Sequence, residues 1–201
     1  MTDTRNADLT YAAGDVIAYY APLGTSAPTG PASTDELAAP WICLGWIDTN
    51  GYIYKLDEQL KDINASGTLD PIRTLVTGAP KTIEATFLEA LNPAVRALYD
   101  DVDISDLQPA GATTIATYVL PEIPTDRRYC FVFDTLDGDK ETRLFAPNAK
   151  VTTRGDDQQQ QSDNENLQMT ISLYPATIGS DRSALQRIVN YGAADLTPFF
   201  T

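Results

Sequence analysis

The chain has 201 residues, 43% of them apolar, which is enough for one domain with a sizeable buried core. It carries 28 acids against 14 bases, a formal charge of −14, and no histidine. The missing imidazole excludes Ser-His and Cys-His catalysis and most zinc sites, and the lack of a clustered Lys/Arg stripe excludes binding through phosphate neutralisation. The acidity by itself serves solubility. The opening MTDTRNADLTYAAGD has neither the basic start nor the apolar run of an export signal, and no apolar run nears the ~20 residues of a membrane-spanning helix. The expectation is a soluble, non-exported protein. Cys43 and Cys130 lie in separate apolar runs, WICLGWI and RYCFVF, and read as small buried hydrophobes rather than as a disulfide.

In chain order, residues 15–20 (DVIAYY) predict a strand, and residues 22–40, rich in Pro, Gly, Ser, Thr and Ala, a surface loop. Residues 41–47 and 52–56 flank Asn50-Gly51, a pair that tolerates positive φ, and so predict a hairpin. A charged stretch, DEQLKDINASGTLD, then reads as a loop-like connector. From Lys81 to Leu91 the side chains alternate, with Ile83, Ala85, Phe87 and Leu91 on one face and Thr82, Glu84 and Thr86 on the other. That is the period of a half-buried strand. Asn92 suits an N-cap and Pro93 the first helical position, so AVRALYD should wind into about two turns of helix with Val95, Leu98 and Tyr99 as its apolar stripe.

Asp100, Asp101, Asp103 and Asp106 follow, where the helix dipole disfavours carboxylates, which predicts an exposed linker. Residues 128–135 and 141–145 flank Asp137-Gly138 and predict a second hairpin. RYCFVFD is apolar on both faces and should be a central strand covered on both sides. Residues 155–166, GDDQQQQSDNEN, contain no apolar side chain and read as a mobile loop. Residues 167–174 alternate, with Leu167, Met169, Ile171 and Leu173 inward. The last stretch fits either a helix capped by Ser180 and ending before Gly192 or a strand through Ile188, Val189 and Tyr191. Many short strands with Gly-containing turns and one helix predict a mainly β fold, a sandwich or barrel of two packed sheets with one short flanking α-helix.

Reactive constellations are scarce. DGDKE at 137–141 starts like a calcium loop, but its Gly comes second and the pattern fails, which leaves a hairpin turn. The acids at 100–106 would need a sugar cleft between them to act as a glycosidase pair. Trp41, Trp46, Tyr52 and Tyr54 could form a sugar-stacking platform, but Trp41 and Trp46 fall on opposite faces of a regular strand. Core packing plus a subunit interface explains the set better. No catalytic residue, cofactor or metal ligand emerges.

The order of the pieces carries a resemblance. An aromatic hairpin (PWICLGWIDTNGYIYKL), the acidic connector and PIRTLVTGAPKTIEATFLEALNPAVRALY resemble the major tail protein, or tail tube subunit, of long-tailed (siphovirus-type) bacteriophages. The likeness is good over residues 40–100, looser from Val119 to Pro175 and weak at both ends. It implies a single tail-tube domain over 1–201, with an N-terminal arm about 1–14 and a C-terminal arm about 179–201. It implies a non-enzymatic virion protein, assembled in the host cytoplasm into stacked hexameric rings around a negatively charged channel. Partners would be further copies of itself, a tape-measure protein and tail-end proteins, with DNA passing through the lumen. Asp57, Glu58, Lys61, Asp62, Asp70, Pro71 and Arg73 are then subunit-interface candidates, although a turn and a strand with one exposed Arg would equally explain the last three. Asn92, Pro93, Val95, Leu98 and Tyr99 form the structural helix. The alternatives are a carbohydrate-binding or adhesion module and another ring-forming tail or secretion-tube protein.

Overall fold

Period-two alternation dominates the computed structural model, which describes residues 6–67, 69–111, 114–161 and 164–199. The strands are β1 (Asp15–Pro22), β2 (Ile42–Leu56), β3 (Gln59–Ile63), β4 (Arg73–Gly78), β5 (Lys81–Phe87), β6 (Tyr129–Asp137), β7 (Lys140–Arg154), β8 (Leu167–Leu173), β9 (Ala176–Ile178), β10 (Asp181–Ser183) and β11 (Gln186–Asn190). One α-helix, α1 (Pro93–Asp100), lies between β5 and β6. The main sheet has the order β11-β7-β6-β1-β2-β5-β8, and β8 pairs again with β7. That second pairing closes the sheet into an antiparallel barrel, which removes most of its free edges.

Closure depends on β7. Its first half, Glu141–Phe145, pairs with β11, and its second half, Ala149–Arg154, pairs with β8. The change of partner falls at a bulge between the Phe131–Ala146 and Tyr129–Ala149 pairs, where Pro147 and Asn148 together face the single residue Cys130. Proline donates no ladder hydrogen bond and is tolerated at such bulges.

Inside the barrel, Ile83, Phe87, Phe131, Phe133, Met169 and Ile171 are fully enclosed, and α1 adds Val95 and Leu98. Each such side chain contributes roughly 1.5–3 kcal/mol by leaving water. The opposite face of β6 is also covered: Cys130 and Val132 pack with Ala21 and Phe145 beneath Ala27, Leu37 and Trp41. The segment between β1 and β2 therefore lies on the barrel's outer wall, with the Trp41 ring edge-on to Phe145 at 6.1 Å.

The mainly β barrel, its flanking helix, the covered central strand β6 and the inward set on β8 are as the pattern predicts. The second hairpin is also present, with Asp137 paired to Lys140 and Gly138 at φ 64° in the turn. The Asn50-Gly51 hairpin is not. β2 runs straight through it, pairing with β1 up to Trp46 and with β5 from Ile47. Residues 48–51 bulge out instead, held where Asn50 N donates to Asp48 Oδ1 at 2.9 Å. The two halves of β2 thus pair with different neighbours, β1 and β5, and not with each other. Leu91 also departs from expectation. β5 ends at Phe87, the backbone turns so that Asn92 N reaches Glu89 O, and Leu91 is exposed while Ala90 is buried. The ambiguous C-terminal stretch resolves as a strand, β11.

Candidate assembly surface

β3 and β4 form a two-stranded sheet of their own and, among the described residues, pair with no other strand. The charged connector is thus a β-hairpin arm rather than a loop. Asp57 N donates to Pro80 O at its base, and Ile72 N to Ile63 O at its far end. Asp57, Glu58, Lys61, Asp62, Asp70, Pro71 and Arg73 all lie on this arm, and all are exposed. Asp57 and Glu58 sit at the base, Lys61 and Asp62 on β3, Asp70 and Pro71 before β4, and Arg73 at its start. Asp62 Oδ1 accepts from Thr74 Oγ1 at 2.6 Å across the pair.

Between these polar groups the arm shows apolar side chains to water. Leu60 and Val76 are directly opposite one another and 60% and 64% exposed, and Leu69 and Ile72 are exposed at the far end. An isolated two-stranded hairpin is marginal in water, so an arm built this way is suited to gaining a partner.

The helix residues Asn92, Pro93, Val95, Leu98 and Tyr99 serve structure, as expected. Asn92 Oδ1 accepts from Ala94 N at 3.0 Å, Pro93 opens the helix, and Val95 and Leu98 are in the core. Tyr99 is partly buried, and its hydroxyl donates to Gly155 O at 2.5 Å. The acidic run after the helix is only half the exposed linker that its dipole argument predicts: Asp103 and Asp106 are exposed, but Asp100 and Asp101 are not. Asp100 accepts from the Tyr118 hydroxyl at 2.7 Å. Burial, with that bond second, pushes Tyr118 up to about 12. Asp101 is buried in the left-handed C-cap position, and its carboxylate accepts from Thr125 N and Oγ1. Arg154 approaches from β7, donates to Leu98 O at 3.1 Å and lies 3.7 Å from Asp101. This cation at the helix C-terminus offsets the unfavourable dipole. Asp103 and Asp106 form a capping box on a short 3-10 turn, Ile104–Leu107.

The polar stretch 155–166 is tied to α1. Arg96 holds Asp157 at 3.1 Å and Glu165 at 2.5 Å, with Asp100 4.0 Å from its Nε. Ser162 and Asp163 lie outside the described residues.

Sequence reading missed the group that fixes the loop between β1 and β2. Arg143 makes two bonds to Asp134, from Nε at 2.6 Å and Nη2 at 2.8 Å, and its Nη1 donates to Gly30 O and Asp35 O. Asp35 in turn accepts from the backbone N–H groups of Thr29 and Gly30, which hold its carboxyl below the usual range. Buried Glu141 accepts from Ser33 N at 2.9 Å. A signal was available: the Asp137-Gly138 hairpin itself sets Asp134 opposite Arg143.

The four aromatics do not make a platform. Trp41 packs on Phe145, Trp46 is 69% exposed, Tyr52 leans on Phe133 at 5.0 Å, and Tyr54 packs against the core. Cys130 is buried, but Cys43 is exposed, contrary to its reading as a buried hydrophobe, because it sits near the start of β2 where the pairing with β1 is irregular. Among the described residues, no three Cys, Asp or Glu side chains are grouped to hold a metal.

A closed barrel with an unpartnered, partly apolar arm is the anatomy of a protein that works by shape and contact. The phage tail tube protein family matches residues 1–185, and the chain belongs to that family. It is a non-enzymatic structural protein of the virion tail. Among solved structures it is similar to the SPP1 tail tube, determined by solid-state NMR and cryo EM, at 11% identity over 92% of this chain and 80% of that one, with a TM-score of 0.39. No curated protein matches the chain.

Proposed function

We propose that copies of this protein form hexameric rings that stack into the tail tube of a long-tailed phage and enclose a negatively charged channel for the genome. The observation that carries this reading is the β3–β4 arm, which exposes Leu60, Leu69, Ile72 and Val76 and pairs with no other strand among the described residues. Asp57, Glu58, Lys61, Asp62, Asp70 and Arg73 supply charges of both signs around those apolar groups, as reversible assembly needs, and Pro71 stiffens the chain between the last two. The whole chain acts as one tail-tube domain, with its terminal segments as arms. Assembly takes place in the host cytoplasm around a tape-measure protein and ends on tail-end proteins. DNA then passes without sticking, because a surface at −14 per subunit repels phosphates.

Sedimentation and electron microscopy at rising concentration test the reading, with rings and then tubes expected. Replacing residues 58–79 by a short Gly-Ser link should leave a soluble monomer with near-native β circular dichroism and cooperative melting, yet no tubes. A wild-type protein that stays strictly monomeric at every salt concentration, or a shortened one that still makes tubes, would overturn it. Fluorescence anisotropy with duplex DNA should show no binding at moderate salt. Micromolar affinity that collapses with added salt would sink the channel argument.

A further inference from the structure

Residues 8–11 run alongside β11 and residues 191–199, and together they enclose a groove of about 480 Å³. Its walls include Leu9, Val189, Tyr191 and Phe199, and its rim carries Lys140 and Arg187. Among the described residues Asp8 is the one carboxylate lining it, against two cations, on a protein at −14. Lys140 is engaged, its Nζ donating to Thr10 O at 3.1 Å. Arg187 is exposed and, among the described residues, makes no ion pair. Val189, Tyr191 and Phe199 are 40%, 46% and 48% exposed. The site therefore offers an apolar wall beside an unspent guanidinium, which suits an apolar segment bearing one carboxylate.

The end of the β3–β4 arm has that composition. Leu69 and Ile72, the former fully exposed and the latter 62% exposed, flank Asp70 and Pro71. Pro71 fixes its own φ, and the Ile72 N–H bond to Ile63 O anchors the turn, so little conformational freedom is left to lose on docking. We propose that this groove receives the arm tip of a second copy, with Asp70 paired to Arg187 and with Leu69 and Ile72 against the wall of Leu9, Val189 and Phe199. This rests on the reading of the protein as a self-assembling tube subunit, and it adds the receptor for the arm. Two apolar anchors around one charge pair give contact energy and register together.

A charge swap tests it. Arg187→Asp and Asp70→Arg should each raise the concentration needed for tubes at least tenfold, and the double variant should restore tubes. Both side chains are exposed, so the melting of each monomer should stay near wild type. Cross-linking gives a second readout that does not need tubes. In a Cys43→Ser background, full-length Asp70→Cys and Arg187→Cys proteins are mixed with copper-phenanthroline as oxidant. A disulfide-linked dimer should form in the mixture well above the level either variant reaches alone. Single variants that assemble normally, a double variant that stays unassembled, or a mixture that cross-links no better than its parts would each overturn the groove as receptor. In the first and third cases, wild-type tubes would leave the assembly reading intact. A wild type that never assembles overturns that reading instead, and the cross-link then still decides whether the tip meets the groove.

Discussion

Arg143 and Asp134 face each other across the β6–β7 hairpin, joined by two hydrogen bonds of 2.6 and 2.8 Å, and both are about 2% exposed. The pair lies on the outer wall of the barrel, under the loop between β1 and β2, and Arg143 Nη1 donates to the carbonyls of Gly30 and Asp35. One buried cation thus satisfies a carboxylate and pins a loop that has few apolar anchors of its own.

Asp134→Ala should cost ~3–5 kcal/mol, because it strands a buried guanidinium. Urea unfolding followed by circular dichroism measures this. Replacing both members with apolar residues should recover much of the loss, while the carbonyls of Gly30 and Asp35 lose their charged donor and the loop exchanges amide hydrogens faster. A single-variant loss under ~1 kcal/mol would mean that water already reaches the pair.

Leu98→Ala should lose ~2–5 kcal/mol, as expected for a large side chain removed from a closed core. Leu98→Asp should not fold at all. Asn92→Ala removes the bond from Ala94 N and the one its Nδ2 donates to Glu89, and should cost about 1 kcal/mol. Thermal melts rank the three. If Asn92→Ala matched Leu98→Ala, the helix would depend on its cap more than on its packing.

Arg96→Ala should release residues 155–166 while changing global stability by only ~1 kcal/mol, since its partners Asp157 and Glu165 are partly solvated. Limited proteolysis should cut within this stretch severalfold faster than in the wild type. Unchanged cleavage would show that other contacts hold it.

Acid stability should depend on Asp35 and Asp103. Backbone N–H bonds, from Thr29 and Gly30 to the first and from Ser105 to the second, hold both carboxyls below their usual value of 3.8. A folded-state value below the unfolded one means that their contribution is complete above about pH 4 and is lost as pH falls through the folded values. Between pH 7 and 5 these two groups should leave the melting temperature unchanged, and the fall should come below pH 4. Asp35→Asn should flatten that fall. A variant whose acid profile matches wild type would place the acid-sensitive groups elsewhere.

Local signals determined a good deal. Alternation from Lys81 and from Leu167 marked β5 and β8, and Asn92-Pro93 marked the helix start, because side-chain period and cap chemistry act over a few residues. The two-faced apolarity of RYCFVFD marked β6 as covered on both sides. The order of these pieces was enough to indicate the family to which the chain belongs.

Tertiary structure decided what depends on partners distant in sequence. Asn50-Gly51 can turn a hairpin, yet β2 passes through it, because its first half is taken by β1 and its second by β5. Asp100 and Asp101 look solvated until Tyr118, Thr125 and Arg154 arrive from other elements. The connector reads as a loop because β3 and β4 pair only with each other among the described strands, so they lack the one-sided burial that produces a clear alternation. Propensity and periodicity are short-range energies of a few tenths to one kcal/mol per residue, and they fix elements where nothing larger opposes them. Strand partnership and charge burial involve several kcal/mol and groups dozens of residues apart, so they are settled only when the barrel closes.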